Sequence, residues 1–219
     1  MIDMHSKRLA LLFALAVATT FLLTACILFN SPPSVVLNAV PGGGQAPLLV
    51  AFDAGASNDP DGTIVAYEWD FGDGAHGSGV ALAHTYSAPG AYEVQLTVRD
   101  DAGWRNYAYF TIYVGDSISY DDLFRDNEDY IGCIVYFRGE IIQVREFLGV
   151  YDWRVATGES QYLGYIEDIV WVNYSGPRFL EGDIIDFCGE VTGLKTYTAI
   201  FGQQVTIPEI NALWVSLSE

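Results

Sequence analysis

The sequence is short of positive charge. Lys and Arg total 10 against 28 Asp and Glu in 219 residues, a formal net charge of −18. Gripping a nucleic-acid backbone requires a basic surface that displaces condensed counterions. The balance here excludes that partner and favours a cation, a basic partner or simple solubility. Histidine is scarce too, with only His5, His76 and His84, and the three cysteines are Cys26, Cys133 and Cys188. No Cys/His cluster has zinc-ligand spacing. No serine sits in a nucleophile-elbow motif, and no glycine-rich loop opens a helix to cradle phosphate. The run Gly42-Gly43-Gly44 reads as a proline-flanked turn. The many carboxylates leave a glycosidase-like pair open on composition, but neither half of the chain is large enough to build the usual cleft around one.

What is present points to strands. Hydrophobic residues make up 51% and there are 22 glycines, with Tyr, Thr, Val and Ile recurring in short runs. That mix favours an all-β chain with a substantial core, in one large or two small domains. The start is a separate matter. Lys7 and Arg8 precede an almost unbroken apolar run from Leu9 to Leu23, and "LTAC" then sets small residues before Cys26. This order is that of a removable signal, and an uncleaved span is the alternative, since Leu9–Ala25 is near the lower length limit for crossing a bilayer. The run resembles the bacterial lipoprotein signal, which implies cleavage after residue 25, a lipid thioether (with palmitate-type acyl chains) on Cys26, and a protein facing the periplasm or the cell exterior. Residues 26–31 then form a linker.

From residue 32 to 115 short strand patterns alternate with turn signals every 8–12 residues, as in an antiparallel sandwich. "AYEVQLTV" places Tyr92, Val94, Leu96 and Val98 on one face and Glu93, Gln95 and Thr97 on the other. In "TIVAYEWDF" the same parity puts Val65, Tyr67, Trp69 and Phe71 inward and Ile64, Ala66, Glu68 and Asp70 outward. The carboxylates of "AYEWDFGDG" therefore share a motif but not a direction, whereas acid–base catalysis needs them to converge. His84, in "HTY", is expected to make a structural hydrogen bond. Tyr107, Tyr109 and Tyr113 share one face of the closing strand. Exposed, they would stack on a sugar ring or a partner protein; otherwise they are ordinary strand formers.

The stretches "SNDPDGTIVAYEWDFGDG" (57–74) and "HTYSAPGAYEVQLTVRDDAG" (84–103) closely resemble the polycystic kidney disease (PKD) domain family. The resemblance implies an immunoglobulin-like sandwich used outside cells as a spacer or binding module, without catalysis. Some members bind a structural calcium ion near the end of the sandwich. Asn30, Ser31, Asp59, Asp61 and Asp100 are the matching candidates, offering the hard oxygen ligands Ca²⁺ prefers. The competing reading makes Asp59 and Asp61 turn formers beside Pro60 and Gly62.

Residues 116–219 change texture. "SISYDDLFRDNEDYIG" predicts one short helix with Ser119 as N-cap and Asp121 and Asp122 in its first turn. Five strand patterns follow, with Gly139, Gly189 and Gly193 marking bulges or tight bends. "FRGEIIQV", "FLEGDIIDFCGEVTG" and "TIPEINALWV", in that order, resemble an oligonucleotide/oligosaccharide-binding (OB) fold, a small five-stranded barrel. Nucleic acid is that family's frequent ligand, but this half holds 6 Lys and Arg against 18 Asp and Glu, which repels it. In such a barrel Cys133 and Cys188 stand on neighbouring strands, so a disulfide and two free thiols both remain open. Tyr162, Tyr165, Trp171 and Tyr174 gather on the third barrel strand. Together these features predict a lipid-anchored, non-enzymatic binding or adhesion module for an extracellular protein or glycan, attached to the membrane through Cys26. The alternatives are a structural subunit of a surface assembly or an accessory subunit of an extracellular enzyme.

Overall fold

The structure is a computed structural model and describes residues 30–158 and 168–218. Cys26, Tyr162 and Tyr165 lie outside those residues. No described helix is long and apolar enough to cross a membrane.

Eight strands build the first domain: β1 (Asn38–Val40), β2 (Gly43–Gln45), β3 (Leu48–Asp53), β4 (Ile64–Asp70), β5 (His76–Ser78), β6 (Ala81–Tyr86), β7 (Gly90–Asp100) and β8 (Arg105–Gly115). They form a three-stranded sheet, β1-β3-β6, and a five-stranded sheet, β2-β8-β7-β4-β5. Val94, Leu96 and Val98 of β7 are fully buried against Val50 and Phe52 of β3, as a period-two pattern with one apolar face demands. Trp69 is 2% exposed; its indole N–H donates to Gly79 O at 2.9 Å, and its ring lies 5.5 Å from that of Phe52. Burying side chains of this size stabilises a fold by about 1.5–3 kcal/mol each, so this strip of aromatics is a main anchor of the sandwich.

Two expectations fail here. Val65 is 51% exposed, because the β4–β7 register shifts between Ile64 and Ala66. The bulge reverses the alternation, so Ile64 packs on the core instead. The glycine run is also more than a turn: Gly43–Gln45 pairs in parallel with Tyr113–Gly115.

The second domain opens with α1 (Tyr120–Arg125), capped by the Ser119 hydroxyl, which accepts from the Asp122 N–H at 3.1 Å. A further turn, α2 (Asn127–Tyr130), follows. Then come β9 (Ile134–Phe147), β10 (Val150–Ala156), β11 (Ile169–Tyr174), β12 (Ile184–Thr198) and β13 (Gln204–Leu217). They are hydrogen-bonded into a closed ring, β9-β10-β11-β13-β12, in which β11 and β13 run parallel and the other pairs antiparallel. Trp153, Val155, Val170, Val172, Ile185, Phe187, Val191 and Ile210 fill its interior, and Leu123 of α1 joins them. Register shifts fall at Cys188/Gly189 and Val191/Gly193, where the glycines signalled bends.

The two cysteines do not pair: Cys133 is exposed, Cys188 is buried, and both are free. The register is the reason. Cys188 stands opposite Tyr136, while the Cys133 carbonyl accepts from Val191 N–H. The Cys188 thiol faces the first domain instead, 3.3 Å from Gly44 O and 3.4 Å from Tyr113 O.

That thiol is part of a tight junction. Asp116 N–H donates to Ile134 O at 2.9 Å, and Tyr136 N–H donates to Asp116 O at 2.7 Å, so the connection pairs directly with β9. A methyl group on Gly115 would stand 2.5 Å from Tyr136 N, and one on Gly43 would stand 2.7 Å from the Trp214 ring. Only glycine lets these chains approach so closely.

Candidate functional site

The acidic motif that is loudest in sequence turns out to be architecture. Asp70 Oδ1 accepts from Gly72 N–H at 2.9 Å and Asp73 Oδ1 from Ala75 N–H at 2.9 Å, closing two local turns. Asp73 Oδ2 lies 2.7 Å from His84 Nε2, and the His84 ring stacks on Phe71 at 4.2 Å. Burial works to raise the Asp73 pKa, but the His84 hydrogen bond and the Ala75 amide outweigh it and hold the carboxyl below the usual range. His84 thus has the structural bond expected of it.

The calcium candidates come together at the far end of the sandwich from the junction. Asn30 Nδ2 donates to Asp100 Oδ2 at 2.9 Å, Ser31 N–H to Asp61 Oδ2 at 2.9 Å, and Trp104 N–H to Asp100 Oδ1 at 2.7 Å. Asp100 is fully buried. Asp59 Oδ2 is buried without a hydrogen-bond partner among the described residues, a costly state for a carboxylate oxygen. Among the described residues no three His, Cys, Asp or Glu side chains converge as a metal-binding group. A cation here would draw on Asn30 and backbone oxygens as well.

Tyr107 and Tyr109 are exposed on the outer face of the five-stranded sheet, where Gln95 donates to the Tyr109 hydroxyl at 2.9 Å. Tyr113 is separated from them in environment: half-buried, it lies at the domain junction opposite Gly43.

A concavity on the ring domain takes in Trp171, one of the aromatics noted on the third barrel strand, together with residues that the sequence did not single out. A cleft of about 440 Å³ runs between β9–β10 and the far part of the β12–β13 hairpin, lined by Gln143, Arg145, Arg154, Trp171, Tyr197 and the turn Ala199–Phe201. Trp153 and Val155 point into the ring, so period two turns Arg154 outward. Arg154 donates to the Tyr197 hydroxyl at 3.1 Å, with its guanidinium carbon 5.2 Å from that ring's centre. Beneath, Trp171 and Tyr197 pack at 5.7 Å, and Lys195 lies 5.4 Å from the Trp171 ring while paired to Glu209 at 3.0 Å. Arg154 Nε is buried and has no hydrogen-bond partner among the described residues. A desolvated guanidinium donor left unpaired is a standing cost, which a ligand acceptor would remove once the side chain turns that N–H into the cleft. A larger, more open groove at the junction is lined by Arg138, Asp186, Tyr136 and Trp214. There Tyr136 donates to Asp186, so its acidic group is already served.

Comparison with known proteins bears on the first domain. The family model described as "PKD domain" matches residues 30–114. Residues 30–114 are a PKD domain. An 87-residue stretch is 39% identical to Collagenase ColQ1 of Bacillus cereus (strain Q1), covering 40% of this chain and 9% of the collagenase. The PKD1 domain of Vibrio anguillarum Epp is 35% identical, with 39% of this chain and 95% of that one covered and a TM-score of 0.35. A structure from work on the promiscuous specificity of carbohydrate-binding modules of the β-sandwich superfamily is 24% identical, with 78% and 62% covered and a TM-score of 0.40. The chain spans about a tenth or less of the length of the curated collagenases it matches. The matches to proteases fall on PKD regions, and no catalytic domain is evidenced in this chain.

Proposed function

We propose that this protein is a non-enzymatic binding module, held to a membrane through lipid on Cys26, in which the PKD domain spaces an OB-like barrel away from the surface and the barrel cleft takes a protein or glycan ligand. The ring's connectivity supports the OB-like reading: its first strand lies between the second and fourth, and its third pairs in parallel with its fifth. The observation that carries the binding role is the unpaired, buried Arg154 Nε within an aromatic-floored cleft. In the same reading, Asn30, Ser31, Asp59, Asp61 and Asp100 hold a structural Ca²⁺ at the opposite end, motivated by the orphaned Asp59 oxygen. Tyr107 and Tyr109 are a second candidate face, tested by the double alanine variant.

The test presents residues 27–219 to a glycan array and to an overlay of fractionated extracellular proteins, alongside Arg154→Gln and Tyr107→Ala/Tyr109→Ala. A ligand retained by the wild type and lost in Arg154→Gln is the expected result. A ligand lost only in the tyrosine variant would move the site to the sandwich. Turnover of any bound polymer, or no ligand in either screen, would sink the proposal.

A further inference from the structure

The rim of the barrel cleft has a property that sugar recognition does not need. The turn at the end of the β12–β13 hairpin carries Ile200 and Phe201, 96% and 91% exposed. The β9–β10 turn carries Phe147 and Leu148, 78% and 88% exposed. Ile200 and Phe201 line the cleft together with Arg145 and Arg154. Phe147 follows Arg145 by two residues on β9 and so shares its outer face. Scattered exposed apolar side chains need no explanation, but large ones gathered around one concavity mark an interaction surface.

The chemistry narrows the partner. Aliphatic tips such as Ile200 and Leu148 offer no flat aromatic face for a sugar ring and no hydrogen-bond group for its hydroxyls. They bury area against other apolar side chains, as the anchors of protein interfaces do. The charge is equally selective. In a chain of net charge −18 with only 10 cationic residues, Arg145 and Arg154 both open onto this cleft. Glu209, the nearby carboxylate, is already engaged by Lys195 and by the Asn173 amide. Asp152 stands opposite Arg145 in register, which tempers that arginine, whereas Arg154 forms no ion pair among the described residues. Guanidinium groups in fixed positions suit carboxylates.

Resting on the reading of the cleft as a binding site, we propose that its occupant is an acidic polypeptide segment. Asp or Glu carboxylates meet Arg154 and Arg145, and alternate large apolar side chains pack on Ile200, Phe201 and Phe147. A membrane is the less suitable partner, because the overall negative charge opposes anionic headgroups.

Fluorescence anisotropy with a labelled dodecapeptide, three repeats of Asp-Phe-Glu-Leu, tests this. The comparison probes are the same peptide with Lys for its acids, the same with Ser for its apolar residues, an oligogalacturonate, and phosphatidylglycerol vesicles. Analytical ultracentrifugation of the protein alone covers a second copy as occupant. The expected result is saturable binding of the acidic–apolar peptide at least tenfold tighter than the Lys or Ser versions. It should weaken at least tenfold in Arg154→Gln and in Ile200→Ser/Phe201→Ser, and weaken with added salt. The Ile200 and Phe201 changes lie on a fully exposed turn and leave the fold intact, so a loss there reports binding. Peptide binding that ignores both variants overturns the proposal. So does tight binding of oligogalacturonate or vesicles with none of the peptide, or self-association abolished by Ile200→Ser/Phe201→Ser. If oligogalacturonate binds and Arg154→Gln abolishes it, the cleft remains a binding site and only the polypeptide assignment falls. If no probe and no screened ligand responds to Arg154→Gln, the cleft itself is the wrong site.

Discussion

Replacing Gly115 by alanine asks whether the two domains form one rigid body. The added methyl would stand 2.5 Å from Tyr136 N and from Val135 C. Ordinary contact needs about 3.5 Å, so the two chains must part by roughly 1 Å, and both neighbours are backbone atoms that cannot swing aside. Parting them strains the pair Asp116 N–H to Ile134 O and Tyr136 N–H to Asp116 O. Losing those bonds costs about 0.5–1.5 kcal/mol each, and overpacking adds about 1–3 kcal/mol. The total of about 2–6 kcal/mol corresponds to a fall in melting temperature of roughly 4–24 °C if domains of this size unfold together. Calorimetry of residues 27–219 should show one transition in the wild type. The variant should show a lowered first transition or a split into two. Hydrogen exchange should show the Asp116 and Tyr136 amides losing protection while core amides such as that of Leu96 keep theirs. A variant that melts within a degree of the wild type with those amides still protected would show that the junction is loose and that the close approach has no energetic weight.

Four further outcomes follow from the structure. In native residues 27–219, which leave out Cys26, a thiol reagent should label Cys133 at once and Cys188 only on unfolding; failure to label two thiols in denaturant without reductant would restore the disulfide. Burial pushes the Cys188 thiol up to about 12, against the opposing pull of the Gly44 and Gly115 backbone hydrogen bonds. A raised folded value means the stability it contributes is complete below the unfolded value, about 8.5, and is lost as pH rises towards 12, so Cys188→Ala should flatten that alkaline decline in urea-melt stability. Asp73→Asn should cost about 1–2 kcal/mol at pH 7. Because the folded Asp73 pKa is depressed, that difference should shrink as pH falls through the carboxylate range, and a gap that persists at pH 2 would contradict the His84 pairing. Millimolar CaCl₂ should raise the melting temperature of the wild type and leave Asp59→Ala unmoved; equal shifts in both would remove calcium from the 59–61 loop.

How far the sequence reaches depends on whether a feature is local. The burial of Val94, Leu96 and Val98 follows from alternation alone, and Ser119 caps its helix because capping spans only three residues. Val65 defeats the same logic, since an extra residue in one strand reverses parity and leaves no mark in composition. The disulfide failed for a longer-range reason. Adjacent strands are necessary for a bridge, but the register places Tyr136, not Cys133, opposite Cys188. The cleft is the least legible element. Arg145, Arg154, Trp171 and Tyr197 are spread over more than fifty positions on four strands, and all but Trp171, noted among the third-strand aromatics, look like ordinary outward residues until ring closure sets those outer faces around one hollow. The signal that could have been read was charge: cations are rare enough here that two arginines on adjoining strand patterns, near aromatics, stand out.

The placement of these features along the molecule ties them together. Asn30 and Pro33 are fastened at the end of the sandwich where β7 finishes and β8 begins, through Asp100 and Asn106. β8 then runs its full length, about 33 Å at strand rise, and ends at Gly115 in the junction. Asn30 and Pro33 are therefore separated from the ring domain by a whole sandwich length. A displacement applied at Asn30 would reach the cleft through a continuous strand and a backbone-paired joint, rather than through a linker. Loosening the joint at Gly115 should accordingly leave peptide affinity of the isolated protein unchanged while altering how a surface-tethered copy captures a surface-bound partner, because only the second depends on where the cleft is held. Equal capture by tethered wild type and Gly115→Ala would mean that the junction contributes stability alone.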